Sequence, residues 1–124
     1  IFFKNVYGDV MIQKINKPWG QEEIWAKTDR YVGKILTISP GHRLSLQYHE
    51  KKEETIYVLD GVLKVWDSDD DNSYCIYTTG SVVHVVPNQV HRFGAAPGES
   101  CVKLMEVSTP ELEDVVRIKD DYTR

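Results

Sequence analysis

Only two cysteines, Cys75 and Cys101, occur in the 124 residues, with no CxxC spacing. That excludes a disulfide-stapled scaffold, and both thiols are expected as reduced strand residues. No apolar run approaches the roughly 20 residues that cross a bilayer, so no membrane partner is expected. The start, Ile1-Phe2-Phe3-Lys4-Asn5, lacks the basic-then-apolar order of a secretory signal, and the expected location is cytoplasmic. Basic clusters are equally scarce. The net charge of -4 arises from 15 Lys and Arg intermixed with 19 Asp and Glu, which leaves no surface to neutralise a phosphate backbone and excludes nucleic acid as a partner. Long helical stripes are missing too; Pro110 to Val116 has room for one short helical turn. An apolar content of 41% with 27% charged residues suits one folded domain of ordinary size.

A period of two fills the chain. Ile35-Leu36-Thr37-Ile38, Leu44 to His49, Thr55 to Leu59, Val62 to Trp66, Tyr74 to Tyr77, Val82 to Val86 and Val102 to Val107 are short and rich in β-branched and aromatic residues, the pattern of strands. Turn chemistry separates them: Ser39-Pro40-Gly41, Asp60-Gly61, Asp67 to Asn72, Thr79-Gly80, Pro87-Asn88 and Ala96-Pro97-Gly98. At least seven strands without intervening helices predict an all-β sandwich or barrel, most simply a single-domain jelly roll.

Alternation also sorts side chains by face. Read as a strand, the segment from Arg43 to His49 puts Arg43, Ser45, Gln47 and His49 on one face and His42, Leu44, Leu46 and Tyr48 on the other. One face is then polar and ends in a histidine, as a cavity wall requires. Glu54 opens the next strand in phase with Ile56 and Val58 and can reach back to His49 across a hairpin. Pro87-Asn88-Gln89-Val90-His91 ends a strand in a tight turn and starts another at His91. Two imidazoles, a carboxylate and an amide oxygen suit one divalent first-row metal ion, so Gln47, His49, Glu54 and His91 are the expected ligands. Zinc, manganese, nickel, cobalt and iron all remain open.

These residues resemble the cupin superfamily. Gly41, Gln47, His49, Glu54 and Gly61 fit its first motif, and Gly80, Pro87, Asn88 and His91 its second. Pro18-Trp19-Gly20, Lys34-Ile35-Leu36, Pro40-Gly41-His42-Arg43-Leu44-Ser45-Leu46-Gln47-Tyr48-His49, Glu106-Val107 and Val115-Val116-Arg117 to Tyr122 further resemble the type II mannose-6-phosphate isomerase domain. The resemblance runs from about Lys17 to Arg124. It implies a cupin jelly-roll barrel (a double-stranded β-helix) over 17–124 and metal-dependent aldose-ketose isomerisation of a phosphorylated hexose. It implies the same four metal ligands; a glutamine rather than a histidine at Gln47 favours the sugar-isomerase branch over cupin oxygenases. Where that family carries a His-rich stretch with an arginine, this chain has Glu50-Lys51-Lys52. A non-catalytic sugar-binding cupin is the alternative reading, with an iron-dependent oxygenase behind it.

In either sugar reading, Lys34, Arg43, Ser45 and Lys103 are the candidate substrate contacts, the cations serving to hold a phosphate. Glu54, the adjacent Glu53 and Lys34 are the candidate catalytic groups. His42, out of phase with His49, is expected at the surface, and His84 fits either the cavity or the outside. Trp19, Trp25 and Trp66 are expected to pack, and Asp67 to Asp71 reads as a solvated hairpin tip. Residues 1–16 are expected as an N-terminal extension whose Ile1-Phe2-Phe3 and Tyr7 add an edge strand for a homodimer.

Overall fold

The alternating runs fold as eleven strands among residues 11–124, the part of the chain that the computed structural model describes. In chain order they are β1 (Gln13–Lys17), β2 (Gly20–Lys27), β3 (Val32–Ile38), β4 (Leu46–Tyr48), β5 (Glu54–Asp60), β6 (Leu63–Trp66), β7 (Tyr74–Tyr77), β8 (Val82–Val85), β9 (Arg92–Ala95), β10 (Val102–Ser108) and β11 (Val116–Lys119). Every pairing is antiparallel. One layer has the order β1-β2-β3-β10-β5-β8. The ribbon β11-β4 and the sheet β7-β6-β9 face it, joined to each other by bridges from Arg43 to Gly94 and from Gln47 to His91.

Strand phase decides what fills the space between the layers. On β10, Val102, Leu104, Glu106 and Ser108 are buried while Lys103 and Val107 are exposed. On β5 the inward set is Glu54, Ile56 and Val58, and on β3 it includes Lys34, Leu36 and Ile38. Register places Leu104 opposite Leu36 and Glu106 opposite Lys34, so the same strands are apolar at one end of the barrel and charged at the other. The apolar end holds Trp19, Leu36, Ile38, Ile56, Val58, Leu63, Val85, Phe93, Ala95, Val102 and Leu104. Each large aliphatic or aromatic side chain buried there contributes roughly 1.5–3 kcal/mol. The charged end is left to line a cavity.

Asp60-Gly61, expected from its turn chemistry to close a hairpin, instead carries the chain from β5 in the six-stranded sheet across to β6 in the three-stranded one, and the two strands do not pair. Gly61 has φ 91°, and a Cβ there would lie 2.5 Å from the Cys101 carbonyl oxygen, so only glycine fits. Cys75 lies in β7, but Cys101 precedes β10 rather than lying in a strand; both are free and exposed. Pro110 to Val116 is not a helical turn. Leu112 N–H bonds the Pro110 carbonyl at 2.8 Å and Asp114 N–H the Glu111 carbonyl at 3.3 Å, because Asp114 is drawn toward another loop. Within the expected extension over residues 1–16, Gln13 to Asn16 belong to β1, which pairs with β2 at the edge of the six-stranded sheet. The expected dimer strand at Ile1-Phe2-Phe3 and Tyr7 lies outside the described residues.

Candidate functional site

Gln47 and His91 exchange backbone hydrogen bonds of 3.0 and 2.9 Å, a pairing that points both side chains to one face. The Pro87-Asn88 turn fixes the approach. Asn88 adopts φ 67°, which asparagine tolerates, and its N–H donates to the His49 carbonyl at 2.6 Å. Glu54 comes in from the opposite layer at the start of β5. One potential ligand atom from each of His49, Glu54 and His91 then lies within 4.8 Å of the others. Glu54 Oε1 is 3.7 Å from His49 Nε2 and 3.2 Å from His91 Nε2. Gln47 lines the same cavity, and Ser45 Oγ–H donates to Gln47 Oε1 at 2.7 Å.

Both imidazoles are pinned from behind. His49 Nδ1–H donates to the Asp114 carbonyl at 2.6 Å and His91 Nδ1–H to the Gln89 carbonyl at 2.9 Å, which leaves each Nε2 as the free lone pair. Both Nε2 atoms are buried without a hydrogen-bond partner. Two lone pairs and a carboxylate facing one another repel unless a proton or a metal ion sits among them. The donor set therefore fits a divalent metal ion, and backbone carbonyls behind the rings orient the nitrogens for it.

A second cluster adjoins the first. Lys52 is buried, with Nζ 3.1 Å from Glu54 Oε2 and 3.2 Å from Glu106 Oε2. Lys34 pairs with Glu22, which Lys17 also reaches at 3.5 Å. Burial pushes the Glu54 carboxyl up, but the imidazoles of His49 and His91 and the Lys52 ammonium hold it well below the usual carboxylate range. Glu106 goes the other way: burial and the Glu54 charge push its carboxyl up to about 7, against the pull of Lys52 and Lys34. A cavity of about 270 Å³ runs along these groups, and Arg117 and Arg124 line it from the C-terminal segment.

The sequence as a whole matches known proteins of one kind. The family model described as mannose-6-phosphate isomerase C-terminal matches residues 7–120. The chain belongs to that family. It is 32% identical over 119 residues to a mannose-1-phosphate guanylyltransferase of Escherichia coli K12 and 30% identical over 114 residues to the alginate biosynthesis protein AlgA of Pseudomonas aeruginosa. Each match covers 90% of this chain but 23% of the relative, so the chain spans about a quarter of the length of those proteins. The fold is that of double-stranded β-helix cupins. The polyketide cyclase RemF of Streptomyces resistomycificus superposes with a TM-score of 0.70 at 21% identity, covering 99% of this chain and 88% of that one. KdgF of Halomonas sp. gives 0.67 at 18%, covering 91% and 97%.

Within this family member the structure corrects several expected positions. Arg43 does not face the cavity. Gln47 pairs with His91 but Arg43 pairs with Gly94, so four residue steps on one side match three on the other. The extra residue is a bulge, and a one-residue slip turns Arg43 to the opposite face and Leu44 toward the cavity. Ser45, at the bulge, is buried and still lines it. Lys103 alternates with inward Leu104 and points outward, away from the cavity. Glu53 alternates with Glu54 and pairs outside the cavity with His84 Nε2 at 2.8 Å, which also places His84 on the outer face, bonded to Thr55. Lys34 does line the cavity. Trp19 is buried in the core, Trp66 lies under the Arg43 guanidinium at 5.3 Å, and Trp25 covers Gly33.

Lys52, Glu106 and Asp114, together with the cavity arginines Arg117 and Arg124, were not singled out by sequence reasoning. Lys52 and Glu106 carried a readable signal, since Lys52 is in phase with Glu54 and Glu106 with Leu104. Asp114 carried none. Its carboxylate accepts the N–H groups of Glu50, Lys51 and Lys52 at 3.0, 2.7 and 2.9 Å, which shapes the loop between His49 and Glu54.

The buried carboxyls give the metal-free protein a distinctive stability profile. Glu106, raised from its ordinary 4.5 to about 7, binds a proton more tightly folded than unfolded, so stability should fall as pH rises from about 4.5 to about 7. Glu54 acts in a separate window, losing its stabilisation only as pH drops below 4.5. Urea titrations across pH 4.5–7.5 should show that decline, and Glu106→Gln should flatten it. An equal slope in both proteins would contradict the assignment.

Proposed function

We propose that this domain is a metal-dependent aldose-ketose isomerase acting on a phosphorylated hexose, interconverting mannose 6-phosphate and fructose 6-phosphate. The observation that carries the reading is the pair of buried Nε2 atoms of His49 and His91 facing Glu54, set in a cavity that Arg117 and Arg124 also line. Gln47, His49, Glu54 and His91 hold one divalent ion. That ion supplies Lewis acidity toward a sugar carbonyl oxygen.

The chain's own residues do the rest. Arg117 lies opposite Gln47 in the β4–β11 register, so its side chain shares the cavity face, and it has no ion-pair partner among the described residues. With Arg124 it binds the phosphate through charge-assisted hydrogen bonds. Glu106 carries the proton between C1 and C2. Its buried Oε2 meets the Lys52 ammonium at 3.2 Å but no other partner among the described residues, whereas Glu54 is committed to the histidines as well as to Lys52, and Glu53 faces solvent. Lys52, between the two carboxylates, keeps Glu54 charged as the proton moves. The apolar wall of Trp19, Leu36, Leu44 and Phe93 excludes water from the reacting carbons.

Purified protein supplied with zinc, manganese, cobalt, nickel or ferrous iron should convert mannose 6-phosphate to fructose 6-phosphate in a coupled assay, and chelation should stop it. Arg117→Gln should raise KM about tenfold or more with a smaller change in kcat, the mark of lost binding common to ground and transition states. Tight sugar-phosphate binding without turnover under any metal would favour the non-catalytic sugar-binding reading instead.

A further inference from the structure

The arginines that line the cavity from the C-terminal segment sit on a lightly paired part of the barrel. Among the described residues, β11, which carries Arg117, pairs only with the three-residue β4, and the segment that follows to Arg124 has no strand pairing of its own. Something beyond the ladder must hold them over the cavity. Within that segment Arg124 is paired to Asp120, Nε to Oδ2 at 2.8 Å, and the segment is tied to the rest of the barrel through one carboxylate outside the cavity, Asp121. Arg43 grips it with a two-pronged contact, Nε to Oδ2 at 2.6 Å and an Nη2 donor to Oδ1 at 3.0 Å. Arg92, which is 2% exposed, adds a bond to Oδ1 at 3.0 Å while its Nε donates to the Leu44 carbonyl at 2.7 Å.

Both arginines are themselves braced. Arg43 also donates to Asp71 Oδ1 at 2.9 Å and lies over the Trp66 ring, and Trp66 Nε1–H donates to the Asp71 carbonyl at 3.0 Å. The next residue, Tyr122, bonds His42 Nδ1 through its hydroxyl at 2.7 Å and packs on the core. The segment carrying the two cavity arginines is thus tied at Asp121 to β9, to the Arg43 bulge and to the β6–β7 hairpin tip.

We infer that Asp121, held by Arg43 and Arg92, is a positioning residue that sets affinity for the substrate's anionic group by fixing Arg117 and Arg124 over the cavity. The inference rests on the proposed phosphate role of those two arginines. It assigns Arg43 the work of a clasp rather than of a substrate ligand. Asp121 touches neither the metal ligands nor the cavity, so its effect runs through where the segment lies.

The test is calorimetry with inorganic phosphate and with mannose 6-phosphate on metal-loaded protein, alongside KM and kcat. Asp121→Asn and Arg43→Met are each expected to weaken phosphate binding on the order of tenfold, with kcat within about twofold and affinity for the metal alone unchanged. The double variant should be little worse than either single, because both break one contact. Arg43→Lys, which keeps the charge and loses the fork, should fall between wild type and Arg43→Met, and it serves should Asp121→Asn fail to fold. Asp69→Asn, which cuts the exposed pair with Lys119, should change nothing.

Phosphate affinity unchanged in Asp121→Asn and in Arg43→Lys, while Arg117→Gln loses it, would overturn the clasp and leave the phosphate reading standing. Unchanged affinity in Arg117→Gln as well would sink both. A loss of metal affinity in Asp121→Asn would also overturn it, since that is general loosening of the barrel.

Discussion

His91→Ala is expected to abolish turnover and to empty the metal site in a protein that still folds. His91 is one of the two buried imidazoles whose Nε2 makes no hydrogen bond among the described residues, and its Nδ1–H is already spent on the Gln89 carbonyl. Neither nitrogen is thus needed for the ladder that pairs Gln47 with His91, which uses backbone atoms. Loss of an outer-shell partner costs roughly 10–100-fold in metal affinity, and loss of the ligand itself should exceed that range. Glu54→Gln should be equally damaging to affinity, because it keeps an oxygen donor and removes the charge that offsets two buried lone pairs. Gln47→Ala should cost least of the four, since it deletes a neutral ligand. Titration calorimetry with manganese or cobalt and metal analysis of the purified variants would check the order. A His91→Ala protein that binds the ion as tightly as wild type would show that the three side chains converge for another reason.

Lys52→Met should destabilise the metal-free protein by about 3–5 kcal/mol, the cost of stripping the counter-ion from buried carboxylates. For a domain of this length that corresponds to a fall in Tm of roughly 10–20 °C. The reason lies in Lys52 serving two acids at once, Glu54 at 3.1 Å and Glu106 at 3.2 Å. Without it, two carboxyls at the floor of the cavity face each other with no cation between them. Adding Glu106→Gln to Lys52→Met should recover part of the loss, because one of the unpaired charges disappears. Urea unfolding of the single and double variants measures both effects. A loss below about 1 kcal/mol for Lys52→Met would mean that the pair behaves as a surface salt bridge, despite its burial.

Much of this was legible because β-structure writes its inner face into every second residue. Leu36 and Ile38, Ile56 and Val58, and Leu104 with Val102 could be read as core from their spacing, and the same phase carried Glu54 inward. It also carried Lys52 and Glu106 inward and Glu53 and Lys103 outward, so those four positions were readable by a stricter use of the rule. The positive φ at Gly61 and at Asn88 follows from turn chemistry alone, but that chemistry could not say that β5 and β6 part into different sheets after the turn.

Arg43 was not legible in this way. Counting by twos from His49 puts it in the cavity, and only the bulge between it and Gln47, visible as a mismatch of four residues against three, turns it outward. No residue type in Arg43 to His49 announces that bulge. Asp114 and Asp121 were hidden for a related reason, since each acts on backbone or side chains more than sixty residues away in the sequence.

By itself, then, the sequence determined the all-β architecture, the family resemblance and the identity of the convergent donors His49, Glu54 and His91, because these depend on periodicity and on motifs a few residues long. Tertiary structure decided which charges line the cavity and which clasp the outside. That choice depends on register across strands and on burial, where a single extra residue exchanges the two faces and a buried lysine draws two carboxylates from different strands to itself.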